Sequence, residues 1–171
     1  MRLLVIRHGI AEGRKDFART DRADAARPLT AEGRRKMKRG AVGLRALVPE
    51  LDLLASSPFR RAVETADIVA RAYGDMRVKR VPDLAPGRGV DRVIAWLQRQ
   101  TVSSTIAVVG HEPDLSFLAC ALVCGTDNPF LELGKGGACL LDLPRRVAHG
   151  VGTLDWLLES KQLRRLAADD D

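Results

Sequence analysis

Leu3-Leu4-Val5-Ile6-Arg7-His8-Gly9 is the stretch whose reading decides the fold. Four aliphatic residues in succession, with no polar alternation, read as a short strand covered on both faces, as in a parallel sheet. The residues behind it deliver a guanidinium, an imidazole and a flexible glycine to the strand's carboxyl end. In open α/β sheets that end is where ligands bind. Arginine beside histidine suits a phosphoryl group, because arginine holds phosphate oxygens bidentately and a neutral imidazole can attack phosphorus.

Two further segments repeat the arrangement. Leu53-Leu54-Ala55 is a short strand followed by Ser56-Ser57-Pro58-Phe59-Arg60-Arg61, which opens a helix running to about Tyr73-Gly74. Thr105-Ile106-Ala107-Val108-Val109 is a strand followed at once by Gly110-His111-Glu112, with Pro113 in the first turn of the next helix. As parallel neighbours, the three strands would bring their polar ends to one crevice. Two of those ends also supply helix N-termini, whose amides attract anions.

The rest of the chain fits the same alternation. Residues 10–28 read as a polar, irregular loop. Thr30 caps a helix over about 31–48, with Met37, Ala41, Leu44 and Val48 on one face. Arg77 to Val81 alternates like a strand, and a helix is predicted from Val90 to Gln100. Ala138 to Leu143 and Gly152 to Leu157 read as a closing strand pair. This order predicts a single domain over residues 1–171: three-layer α/β, with a mostly parallel central sheet and helices on both faces. The final Asp169-Asp170-Asp171 is expected to fray.

Composition narrows the class. The 171 residues are 46% hydrophobic but only 4% aromatic, which points to an aliphatic α/β interior. The formal net charge is +6, and the basic excess lies before Thr101, which favours an anionic partner. The start of the chain is too short and too quickly charged for a signal peptide, and no apolar run reaches membrane-spanning length. Of the three cysteines, Cys120 and Cys124 fall four apart on an apolar helix and read as core residues. Cys139 falls in a strand, and none has metal-ligand spacing. A reduced, cytoplasmic protein without membrane association is the expectation.

These motifs resemble the histidine phosphatase superfamily, of phosphoglycerate-mutase-like fold. The likeness spans roughly residues 2–125. Arg7-His8-Gly9 matches the family signature, with His8 as the residue that becomes phosphorylated. Ser57-Pro58-Phe59-Arg60-Arg61-Ala62 with Thr65 matches the second motif, whose arginine before the alanine binds phosphate; that makes Arg61 the match rather than Arg60. Gly110-His111 matches the second histidine. Short length, Arg27-Pro28-Leu29-Thr30 and Ser57-Pro58-Phe59 resemble the phosphohistidine phosphatases of the SixA type.

The resemblance implies a catalytic set of His8, Arg7, Arg61 and His111, and a phosphate cradle of Arg7, Arg61, His111, Gly9 and Ser57. Asp83, in Val81-Pro82-Asp83-Leu84, is the candidate general acid, with Glu112 the runner-up. Neighbouring arginines are expected to lower the His8 pKa, and its second ring nitrogen to donate to a backbone carbonyl. Protonated His111 and the arginines would supply positive charge without a metal or other cofactor. The implied partner is a phosphohistidine-bearing phosphotransfer or signalling protein. The alternatives are a phosphatase of a small phosphomonoester, and a non-catalytic phosphate- or nucleic-acid-binding module.

Three weaker signals are read as structural. Gly134-Lys135-Gly136-Gly137 lacks the Ser or Thr that a phosphate loop needs after its lysine, and reads as a turn. His149-Gly150 lacks both a preceding arginine and a buried strand, and reads as a surface loop. Arg34-Arg35-Lys36 with Lys38-Arg39 is the wet face of a helix; with no aromatic stacking platform beside it, nucleic acid is not expected.

Overall fold

A computed structural model describes residues 1–101, 104–126 and 128–167. The predicted strands are β1 (Arg2–Arg7), β2 (Leu53–Ser56), β3 (Val78–Arg80), β4 (Thr105–Gly110), β5 (Ala138–Asp142) and β6 (Thr153–Leu158). They form one sheet in the order β3-β2-β4-β1-β5-β6. β3, β2, β4 and β1 run parallel, and β5 pairs antiparallel with both β1 and β6.

The central strands are apolar on both faces because helices cover both. Leu3 and Val5 of β1, with Ile106 and Val108 of β4, pack on one side against α4 (Val90–Leu97) and α5 (Asp114–Cys124). Leu4, Ile6, Ala107 and Val109 face the other way. They meet α2 (Ala31–Leu47), α3 (Arg60–Ala72) and α6 (Ser160–Leu166) through Met37, Leu44, Val69 and Leu163. Alternate residues of one strand thus feed two cores, as the unbroken aliphatic runs require.

Register sets the site. Arg7 lies opposite Gly110, and Ser56 opposite Val109, so β1, β4 and β2 end level with one another. The chain continues the ladder one step past each end: His8 N–H donates to the Gly110 carbonyl and Ser57 N–H to the Val109 carbonyl. The three polar strand ends therefore do share one edge of the sheet.

The structure departs from the sequence reading in three places. Residues 10–28 are not irregular throughout: they hold a short helix α1 (Arg14–Ala18), which buries Phe17, and a 3-10 turn, Asp24–Ala26. The unassigned segment after β6 forms α6, opened by a capping box between Glu159 and Gln162 and anchored by buried Leu163. Cys124 is exposed rather than in the core, because α5 ends there and Gly125 turns the chain with a left-handed φ of 71°. Cys120 and Cys139 are buried, and Gly134-Gly137 is a turn. Asp169-Asp170-Asp171 lies outside the described residues. Among those described, no helix is long and apolar enough to cross a membrane.

Candidate active site

His8 follows β1 directly and is held from two sides. Its Nδ1 lies 2.7 Å from the Gly9 carbonyl, and Arg61 Nε donates to its Nε2 at 3.3 Å. A carbonyl only accepts and a guanidinium only donates, so both contacts demand the same tautomer: proton on Nδ1, lone pair on Nε2. Gly9 is fixed in turn, its N–H donating to Thr65 Oγ1 at 3.1 Å. A Cβ at Gly9 would stand 2.7 Å from Met37 Cγ, so the close seat against α2 calls for glycine. Gly9 thus orients the imidazole through its carbonyl, and its amide is engaged by Thr65.

Arg61 and His111 arrive from the other two strand ends. Arg61 sits in the first turn of α3 and is 3% exposed, whereas Arg60 turns outward to pair with Glu64 at 2.8 Å. His111 follows β4, is likewise 3% exposed, and its ring centre lies 5.1 Å from that of His8. Its Nε2 shares a hydrogen bond with Ser57 Oγ at 2.8 Å. Phe59 borders both groups, edge-on to His111 and beneath the Arg61 guanidinium at 5.0 Å. Arg7 donates to the Leu133 carbonyl and stands 3.8 Å from Glu132. Among the described residues, two buried polar atoms here have no hydrogen-bond partner, Arg7 Nε, a donor, and His111 Nδ1, a donor or acceptor according to the ring's tautomer. Unpaired buried polar atoms of this kind are costly unless a ligand satisfies them.

Burial governs the protonation states. It is the largest cause lowering His8 to about 4; the Gly9 hydrogen bond opposes it, and the Arg61, Arg7 and Arg27 charges reinforce it. The arginines named from the sequence are thus contributors, second to desolvation. His111 is lowered to about 3, first by burial and then by His8 and Arg61. Burial and the neighbouring cations thus favour the neutral ring, and the negative charge of a phosphoryl group beside it works in the opposite direction.

The acid candidates are placed less directly. Asp83 lies in the 3-10 turn Pro82–Leu84, half-buried, 3.9 Å from Arg92. It lines the same narrow cavity, about 20 Å³, as His111. Glu112 has both oxygens engaged, accepting from Ser116 Oγ at 2.6 Å and from Leu133 N–H at 3.3 Å. Burial raises its pKa, and its contacts tie α5 to the loop that holds Arg7. Among the described residues, no three His, Cys, Asp or Glu side chains group as metal ligands.

Asp24 is the contact missed in the sequence. Its carboxylate lies 3.1 Å from Arg61 Nη1. The only signal was an acid among arginines in the segment 10–28, and no spacing rule singles it out.

A model of the histidine phosphatase superfamily (branch 1) matches residues 3–85. An uncharacterised protein of Picosynechococcus sp. is 35% identical over 139 residues, covering 80% of this chain and 82% of that one. The chain belongs to the histidine phosphatase superfamily. Phosphohistidine phosphatase SixA of Escherichia coli is 27% identical over 171 residues, 98% of this chain and 99% of its own. A structure of the protein histidine phosphatase SixA complexed with tungstate superimposes with a TM-score of 0.79 at 26% identity, covering 95% and 99% of the two chains. The α-ribazole phosphatase of Shigella flexneri shares the fold, with a TM-score of 0.74 at 22% identity over 94% and 97%. This superfamily member is a phosphatase, a hydrolase with the phosphoglycerate-mutase-like α/β fold.

Proposed function

We propose that this chain removes the phosphoryl group from a protein phosphohistidine through a covalent phosphohistidine on His8. The observation that carries the reading is the fixed tautomer of His8. An imidazole kept neutral by burial, with Nδ1–H tied to Gly9 and the Nε2 lone pair aimed into a cationic pocket, is a nucleophile prepared for phosphorus once the Arg61 Nε–H that it accepts turns to a phosphoryl oxygen. In the first step Nε2 forms a bond to phosphorus as the bond to the leaving nitrogen breaks. Arg7, Arg61 and His111 bind the equatorial oxygens, on which charge builds. Water then attacks phospho-His8, releasing inorganic phosphate and restoring the imidazole.

The leaving group favours phosphohistidine over an ester. An alkoxide needs a proton in the transition state, while a leaving imidazole has a conjugate acid of pKa roughly 6.5. General acid catalysis contributes roughly 10²–10⁴-fold. Glu112 has both oxygens engaged by Ser116 and Leu133, and Asp83 faces Arg92, so a substrate that depends little on an enzyme acid fits these placements. The overall likeness to SixA supports the same substrate class.

A substrate panel tests the reading. A phosphohistidine protein and phosphoramidate are expected to show higher kcat/KM than phosphoserine peptide or sugar phosphate, with activity surviving exhaustive chelation. Asp83→Asn is expected to slow ester hydrolysis more than phosphohistidine hydrolysis. A preference for a small phosphate ester, with Asp83→Asn crippling every substrate equally, makes the chain a small-molecule phosphatase instead.

A further inference from the structure

Arg61 uses two different edges of its guanidinium. Nε donates to His8 Nε2. Nη1 points away from the histidine and donates to the Asp24 carbonyl at 3.0 Å, with Asp24 Oδ2 at 3.1 Å. A guanidinium is planar, so two acceptors on Nη1 fix the plane. The Nε–Nη2 edge then faces His8, with Nε donating to its Nε2; that pair suits bidentate phosphate binding once Nε passes from the imidazole to a phosphoryl oxygen. Asp24 is itself held. Its Oδ1 accepts from Arg27 Nε at 2.9 Å, Arg27 Nη1 donates to the Glu12 carbonyl at 2.7 Å, and Arg14 Nε lies 3.7 Å from the same Oδ1. One carboxylate therefore serves three arginines. Burial would raise its pKa, but the hydrogen bond from Arg27 and the charge of Arg61 outweigh that and keep it below the usual range, so it stays ionised.

We propose that Asp24 is the positioning residue of the phosphate cradle: it holds the far prong of Arg61 so that the guanidinium's bidentate edge meets the phosphoryl group at His8. The inference rests on His8 as nucleophile and Arg61 as phosphate ligand. It explains why residues 10–28 fold into α1 and a 3-10 turn beside the site, since that local structure is what brings Asp24 and Arg27 to Arg61.

A purely electrostatic role would have the opposite signature. A carboxylate beside an anion site repels the anion, so if Asp24 only offset positive charge, its removal would tighten phosphate binding and leave kcat alone. A residue that aims Arg61 lowers kcat when it is lost, because the aligned edge matters most where charge develops.

The test uses the full chain with Asp24→Ala, Asp24→Asn, Arg61→Ala and the Asp24→Ala/Arg61→Ala double variant. Phosphoramidate turnover, inorganic phosphate affinity and Tm are measured for each. Asp24→Ala is expected to lower kcat roughly 10²-fold, the scale of a misplaced catalytic group, while phosphate binds as tightly as before or more tightly. In the Arg61→Ala background, Asp24→Ala is expected to cost nothing further, because both changes remove one interaction. Asp24→Asn keeps the shape and one acceptor oxygen, and is expected to fall between; it carries the test if the alanine variant does not fold. A kcat within about twofold of wild type in the folded variants, or losses that multiply in the double variant as independent sites do, overturns the proposal. The Arg61 Nε–H resonance, expected to be shifted and exchange-protected in wild type and lost in Asp24→Ala, reads the orientation without turnover. It tests the positioning of Arg61 even if the preferred substrate proves to be a different phosphate compound.

Discussion

Lowering the pH should destabilise the protein through His8 by an amount the structure sets. Its pKa falls from 6.5 unfolded to about 4 folded, with burial the leading cause. A depressed histidine pKa contributes stability that is fully present above the unfolded value. That stability is lost as the pH falls toward the folded value, because the unfolded chain takes up the proton first. Each pH unit between the two costs about 1.4 kcal/mol, or about 3 kcal/mol over the whole interval. His111 moves in the same direction and contributes its own loss. His8→Asn isolates the His8 share, since the asparagine amide can still donate to the Gly9 carbonyl while no longer titrating. Urea unfolding by linear extrapolation, repeated from about pH 7.5 to pH 4, gives the difference between wild type and variant. That difference is expected to shrink by about 3 kcal/mol on acidification, with half of the change near pH 5. A difference that stays flat, or that begins to fall near pH 6.5 and levels off well above pH 4, would refute the claim that burial keeps the nucleophile neutral.

Arg61→Ala is expected to lower kcat/KM by at least about 10²-fold, as for loss of an oxyanion-stabilising donor, and Arg60→Ala to stay within a few-fold of wild type. Steady-state kinetics on phosphoramidate would decide it, and the reverse order would place Arg60 in the cradle. Gly43→Ala is expected to destabilise the protein by about 1–3 kcal/mol, because a Cβ there would stand 1.9 Å from the Leu163 carbonyl oxygen and push α6 off α2. Urea unfolding reads the loss, and an unchanged midpoint would mean that α6 is not seated as described.

The sheet and the convergence at its edge were legible because local pattern specifies both. Uninterrupted aliphatic runs at Leu3–Ile6 and Ile106–Val109 mark strands buried on both faces, and polar residues straight after them fall at the carboxyl ends by necessity. The two arginines of the second motif were separable only through the family pattern. In the fold, helix phase separates them: Arg61 starts the inward face of α3, while Arg60 faces solvent and Glu64. Asp24 was not legible, since its role depends on a contact to Arg61 across 37 positions of sequence. The burial that lowers the His111 pKa was not legible for a related reason. Charge can be counted along a chain, but desolvation is a property of the packed site. Helix α6 was overlooked because its seven residues carry one buried anchor, Leu163, too few for periodicity to register.

Trapping the covalent intermediate tests the mechanism most directly. The protein is mixed with isotopically labelled phosphoramidate or phosphohistidine protein, quenched in base, and the labelled peptide mapped. The expected result is acid-labile, base-stable phosphate on His8 in wild type, with neither label nor turnover in His8→Ala. Phosphate on another residue, or a His8→Ala variant retaining about a tenth of wild-type turnover, would contradict it, because loss of a covalent nucleophile costs orders of magnitude more than that.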